Sequence, residues 1–169
     1  MDEAGFYLLP GRVRSYAPCG HRPILRVWHT RDHLSVMSAI TMAAGLYTLV
    51  REEALTGLES VTFLQHLQVQ LGPRLLVVWD GSPIHRGAAV KSFLADAAGR
   101  GVHLELLPGY APDLNPDEGV WHHLKMVELR DLCCQDLDEL RYELTLAIAR
   151  LRHKANLIRS FFARAGLDL

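Results

Sequence analysis

The chain has 169 residues, 49% of them hydrophobic, and a formal net charge of −1, which is enough for one compact domain with a real core and too little for two. Its longest apolar runs, such as LLVVW at 75–79, fall far short of the roughly 20 residues that cross a bilayer, and Asp2 and Glu3 stand where a signal peptide would be basic. Membrane and secretory classes are set aside and a cytoplasmic location is expected; Cys19, Cys133 and Cys134 form no CxxC pair and read as reduced bystanders.

In chain order, DEAGFYLL at 2–9 reads as a strand, followed by a Pro/Gly/Arg-rich loop or irregular hairpin through Pro23. Leu34–Thr41 alternates apolar and small residues, and Leu46–Val50 follows a turn ending at Gly45, the pattern of an antiparallel hairpin. A helix is predicted over Glu59–Leu71, closed by Gly72 and Pro73. LLVVW, apolar throughout, reads as a strand buried on both faces and ends at Asp80 and Gly81. A short helix over Lys91–Ala98 and a strand with a wetter side at Val102, Leu104 and Leu106 come next.

In LNPDEGVWHHLK, Asn115 is a good N-cap, Pro116 suits the first helical position, and Glu118 falls where a capping-box carboxylate reaches back to the cap. That helix is expected to bury Val120, Trp121, Leu124 and Val127. Asp136 and Glu139 mark a second capping box, ahead of a helix with Leu137, Leu140, Leu144, Ile148 and Leu151 on one stripe. A last helix carries Leu157, Ile158, Phe161 and Phe162. Three strands, helix, strand, helix, strand and further helices predict an α/β fold with a mixed sheet flanked by helices.

Charge is uneven along the chain. Residues 10–33, with Arg12, Arg14 and Arg22 among five arginines, carry +4, residues 140–169 carry another +4, and the remainder carries −9. Basic ends around an acidic middle suit a chain that grips a polyanion and holds cations, and they equally suit solvated faces of ordinary helices and loops.

Asp2 in the first strand, Asp80 at the carboxyl end of the fourth and Glu118 on the first turn of a helix can converge if strands one and four are neighbours. Three convergent carboxylates repel one another unless divalent cations neutralise them, and Mg²⁺ is the usual cation for carboxylate and water oxygens. Two such ions about 3.5–4 Å apart activate a nucleophilic oxygen and stabilise the leaving oxygen of a phosphodiester. Taken singly, each residue also has a plain structural reading: Glu118 as a cap, Asp80 as a turn residue, Asp2 as a terminal charge.

The segments MDEAGFYLLP, LLVVWDGSPIHRG and LLPGYAPDLNPDEGVWHHLK, in this order, resemble the catalytic domain of DDE-superfamily transposases, specifically bacterial insertion-sequence transposases related to the mariner group. The resemblance runs from residue 1 to about 130. Its most specific part is YAPDLNPDEGVW, with 37 residues between Asp80 and Glu118. It implies an RNase H-like five-stranded mixed sheet, three antiparallel strands first and then two parallel, with extra C-terminal helices. Residues 1–130 would be the DDE catalytic core and residues 131–169 a helical extension of the same domain.

It further implies that Asp2, Asp80 and Glu118 are catalytic metal ligands for two Mg²⁺ ions, with Mn²⁺ as a substitute. The activity implied is endonucleolytic DNA cleavage and strand transfer, in DNA transposition and recombination. Arg12, Arg14, Arg22, His85 and Lys125 are the DNA-contact candidates, His85 alternatively standing behind the ligands; the implied partners are the element ends, target DNA and a second copy of the chain. Gly81 departs from the Asn usual after the second Asp. Glu3, one residue from Asp2, would face the other side of its strand and is not counted in the triad. An N-terminal helix-turn-helix region, usual in such transposases, is expected on a partner or fused frame. The alternatives are an inactive transposase remnant that only binds DNA and another RNase H-like nuclease such as a resolvase.

Overall fold

The computed structural model describes residues 1–9, 16–21, 24, 30–109 and 111–167. Most of the loop predicted through Pro23 lies outside the described residues, and with it Arg12, Arg14 and Arg22.

Strands β1 (Asp2–Tyr7), β2 (His33–Ile40) and β3 (Leu46–Arg51) form an antiparallel sheet with β2 in the middle, Asp2 opposite Ser38 and Ser38 opposite Thr48. Alternation sends the two faces of β2 into two different cores. Leu34 and Val36, with Phe6 and Leu8, join one core, while Met37 and Ala39 join the other. The small polar residues Ser35 and Ser38 are buried in the same strand, so β2 tolerates helices on both sides.

Helix α1 (Gly57–Leu71) starts two residues before the predicted Glu59, because Thr56 caps it: the Thr56 hydroxyl accepts the Leu58 N–H at 3.2 Å, and the Glu59 carboxylate accepts the Thr56 N–H at 3.0 Å. Gly72, at φ 107°, ends it in a conformation that favours glycine. Strands β4 (Leu75–Trp79) and β5 (Val102–Leu106) pair in parallel, Leu75 opposite Val102, around helix α2 (Ala88–Ala95). That helix begins three residues before the predicted Lys91, after Gly87. Phe63, Leu64 and Leu67 of α1 and Val90 and Phe93 of α2 pack on Val77 and Trp79.

The expectation that β4 is buried on both faces is corrected. Leu76 is 68% exposed and Val78 42%, so only the Val77 and Trp79 side is covered. Helices α4 (Leu137–Arg152) and α5 (Ala155–Arg164) do not lie over β4; they pack with α3 (Asp117–His123) against Phe6, Leu34 and Val36. The three-stranded and two-stranded ladders are also separate, and the Met1 nitrogen, donating to Val78 O at 2.8 Å, bridges from the start of β1 to β4.

After α3 the chain makes a π turn over Leu124–Glu128, closed by Leu129 N–H donating to Leu124 O at 2.9 Å. A π turn inserts one residue into the helical phase. Leu129 is therefore buried, whereas Val127, expected in the core, is 57% exposed. Glu128 is turned inward, where it accepts from Arg150 Nε at 2.7 Å, Lys154 Nζ at 2.7 Å and lies 3.2 Å from His123 Nε2. Burial would push the Glu128 carboxyl up, but these donors outweigh it and hold it at about 2.

Candidate metal centre

Asp2 reaches the site from β1, with 7% of its surface exposed. Its Oδ1 accepts the Glu3 N–H at 2.8 Å, and its Oδ2 accepts from Asn115 Nδ2 at 2.8 Å and Trp121 Nε1 at 2.9 Å. Burial raises its pKa to about 6, against the lowering effect of the Trp121 and Glu3 donors, and the charges of Asp117 and Glu3 add to the rise. Asp80 follows the last residue of β4, and its Oδ1 accepts the Ser82 N–H at 3.1 Å, so the turn through Gly81 is closed by the carboxylate itself.

Glu118 stands on the first turn of α3, exposed. The capping expectation is half met. Asn115 Oδ1 accepts the Asp117 N–H at 3.1 Å, but the Asn115 N–H donates to Pro112 O at 2.9 Å, so Glu118 has no vacant cap donor to reach back to. Asn115 is thus a brace, one end on the helix start and the other on Asp2. Asp117, fully buried beside it, accepts from Ser38 Oγ at 2.5 Å and pairs with the Met1 nitrogen at 2.9 Å, fixing α3 to β2.

Asp2, Asp80 and Glu118 line one cavity of about 620 Å³, with Asn115, Arg86, Leu107, Pro108 and Pro112 among its other walls. Lys125, seven residues after Glu118 and on the same side of the helix, is half-buried with Nζ 5.2 Å from the centre of the Phe6 ring. Burial lowers its pKa, and the nearby charges of Glu118 and Asp2 oppose that shift. A second cavity of about 390 Å³ shares Pro112, Asn115 and Glu118 with the first and is flanked by His122 and Arg164.

On the other side of β1, Glu3 faces away from Asp2, as strand alternation requires. Its Oε2 is 3.0 Å from His85 Nε2, and His85 Nδ1 is 3.0 Å from Asp80 Oδ1. His85 is 3% exposed and lies flat on Trp79, ring centres 4.1 Å apart. It therefore does not present a surface to DNA; its Nδ1 meets Asp80, while Nε2 stands at ion-pair distance from Glu3 Oε2 with neither atom hydrogen-bonded, both buried behind the carboxylates. Burial alone would lower the basicity of this imidazole, but Glu3 and then Asp80 outweigh it and raise it. One ligand atom each of Glu3, Asp80 and His85 lies within 4.8 Å of the others, a spacing that can hold a metal ion.

The family model for the DDE superfamily endonuclease matches residues 1–141. The chain belongs to that family. Among solved structures, this DDE-family chain is similar to the Mos1 strand transfer complex (20% identity, TM-score 0.63, covering 99% of this chain and 54% of that one). It is likewise similar to the mariner Mos1 paired end complexes with Mg (19%, TM-score 0.70, 98% and 52%) and with Mn (18%, TM-score 0.69, 98% and 52%). The chain thus spans about half the length of these proteins and shares the fold of the part it covers. A search of curated proteins gives no match.

Of the residues singled out from sequence, Asp2, Asp80 and Glu118 are brought to one cavity, Lys125 lies within electrostatic reach of two of them, and His85 sits behind Asp80. Asn115, Trp121, Asp117 and Arg86 were not foreseen in the site. Trp121 had a usable signal, since a buried indole N–H needs an acceptor and a carboxylate was the one to look for.

Proposed function

We propose that this chain is the catalytic domain of an insertion-sequence transposase that cuts DNA and joins the freed 3′-end to target DNA. The observation that carries the reading is that three carboxylates from three distant segments, Asp2, Asp80 and Glu118, line one cavity. An all-oxygen donor set of this kind fits Mg²⁺ or Mn²⁺, and the similarity to Mos1 complexes with those metals supports the assignment.

Asp2, Asp80 and Glu118 would hold two ions. Ions held there would supply Lewis-acid activation of the attacking oxygen and charge stabilisation of the departing oxygen of the phosphodiester. In cleavage, the oxygen of water bonds to phosphorus as the P–O3′ bond breaks, freeing a 3′-hydroxyl; in joining, that 3′-oxygen bonds to a target phosphorus and displaces the target's own 3′-oxygen. The protein's work is placement. Asn115 and Trp121 hold the Asp2 carboxylate, the Ser82 N–H holds Asp80, and the start of α3 presents Glu118. Lys125 and Arg86 bring positive charge for the phosphate. A second copy of the chain and a helix-turn-helix region that reads the element ends complete the proposed assembly.

Nicking of supercoiled plasmid by the full chain with Mg²⁺ or Mn²⁺ tests the reading. Asp80→Asn and Glu118→Gln should each lower the rate by at least about a hundredfold, the scale of losing one preorganised charge at a reacting centre, with metal-free melting temperature unchanged or raised as repulsion is relieved. Metal-dependent nicking that survives Asp80→Asn would exclude Asp80 from the centre. DNA binding without nicking by the wild-type chain would favour the DNA-binding remnant instead.

A further inference from the structure

The seam between the two sheets is thinly held. Asp2 rides on β1 in the three-stranded ladder and Asp80 follows β4 in the two-stranded one, and these ladders are not continuous. Among the described residues a backbone hydrogen bond across the seam runs from Met1 N to Val78 O. Yet the proposed centre needs the Asp2 and Asp80 carboxylates at a fixed separation, because productive geometry tolerates only about 0.5 Å of misplacement. Something besides the ladders must set it.

We infer that His85 is the positioning residue that aims Asp80 and clasps β4 to β1 from the side opposite the cavity, an inference that rests on the metal-centre reading above. Three contacts carry it. The Nδ1 edge lies 3.0 Å from Asp80 Oδ1 and 3.3 Å from Asp80 O, so it grips both the side chain and the backbone of that residue. The Nε2 edge lies 3.0 Å from Glu3 Oε2, the residue next to Asp2. The ring plane is set by parallel stacking on Trp79, a fully buried side chain of β4. Rotation of the ring would break all three at once.

The division of labour on Asp80 follows. The Ser82 N–H donates to Oδ1 and His85 Nδ1 lies 3.0 Å from the same oxygen, so both contacts fall on one edge of a carboxylate that lines the cavity. His85 lines neither of the cavities at the site, so it acts through Asp80 and not on the phosphodiester. Polar groups behind a ligand that fix its orientation typically change metal affinity by about 10–100-fold when removed.

The test is Mn²⁺ binding to the full chain, followed by electron paramagnetic resonance, for wild type, His85→Ala, His85→Asn and, as control, Asp80→Asn. An Asn side chain places its amide nitrogen where Nδ1 stood but cannot reach Glu3. His85→Ala should weaken Mn²⁺ binding by about tenfold or more, and His85→Asn should restore most of that loss. In the nicking assay the His85→Ala defect should lie mainly in the metal concentration needed, with the rate at saturating Mn²⁺ within about threefold of wild type, a split that mere loss of fold would not produce.

His85→Ala binding Mn²⁺ like wild type, or His85→Asn failing to rescue, would overturn the inference while leaving the metal centre intact. Should His85→Ala not fold, a His85→Asn variant with near-wild-type affinity supports the inference and one with tenfold weaker affinity overturns it. A wild-type chain that binds no Mn²⁺, or an Asp80→Asn variant that binds it normally, would overturn the metal centre and this inference with it.

Discussion

Asp2 shows what a buried carboxylate costs before any cation arrives. Its pKa of about 6 against an ordinary 3.8 means that the folded chain holds a proton the unfolded chain has already released between those two values. Where the folded state binds more protons, stability falls as pH rises, so the neutral Asp2 favours folding at low pH and the advantage is lost through pH 4 to 6. The displacement corresponds to an order of 3 kcal/mol at neutral pH. Asp2→Asn, which keeps an oxygen for Asn115 and Trp121, should melt like wild type near pH 4 and progressively higher than wild type toward pH 7, without metal. A gap between the two melting curves that does not change with pH would show that Asp2 is not held neutral. Glu128 runs the other way, its stabilisation present above about 4.5 and lost only as pH falls toward 2.

At the scale of elements, the position of Glu118 depends on how closely α3 and α5 approach. A Cβ on Gly119 would stand 2.5 Å from Phe161 Cδ1 and 2.9 Å from Phe161 Cβ, distances no real contact shows. Phe161 is 3% exposed within the core shared by α3, α4 and α5, and its Cβ cannot swing away as a flexible tip would. Gly119→Ala should therefore destabilise the fold by about 1–3 kcal/mol, the range for overpacking a filled core, and move Glu118 together with its helix. Urea unfolding measures the first effect and Mn²⁺ affinity the second; an unchanged unfolding midpoint would mean that the two helices part without cost. The π turn after α3 matters at the same scale, since it puts Leu129 in the core and Glu128 against Arg150 and Lys154.

For the molecule as a whole, the basic C-terminal segment is less available to a polyanion than its composition suggests. Arg141 pairs with Glu52 at 2.8 Å, Arg150 and Lys154 are taken by Glu128, and Arg152 binds Leu46 O and Thr48 Oγ1. Arg164, exposed, lines the second cavity together with Glu118. If a DNA strand runs through that cavity, Arg164→Ala should lower the slope of log affinity against log salt by about one, the signature of a lost phosphate contact. Arg150→Ala should leave the slope unchanged. Equal slopes for Arg164→Ala and wild type, measured on terminal-repeat and scrambled DNA, would place the strand elsewhere.

The local signals of the sequence were enough to place most elements, because they depend on neighbours in the chain: alternation in β2, the Asp136 cap, Gly72 after α1, and the stripe of Leu140, Leu144, Ile148 and Leu151 in α4. That Asp2, Asp80 and Glu118 come to one cavity was also legible, from strand ends and from the YAPDLNPDEGVW resemblance. What the chain order could not express is which surfaces are left uncovered and which distant groups meet. LLVVW looks buried on both faces, but its Leu76 and Val78 face outward because α4 and α5 cover β1 and β2 instead. Asn115 read as a cap and proved to be also a donor to a carboxylate 113 positions away. His85 between Glu3 and Asp80, and Trp121 on Asp2, arise only when the two sheets are brought together, since a hydrogen bond across a fold is set by packing geometry and leaves no period in the sequence.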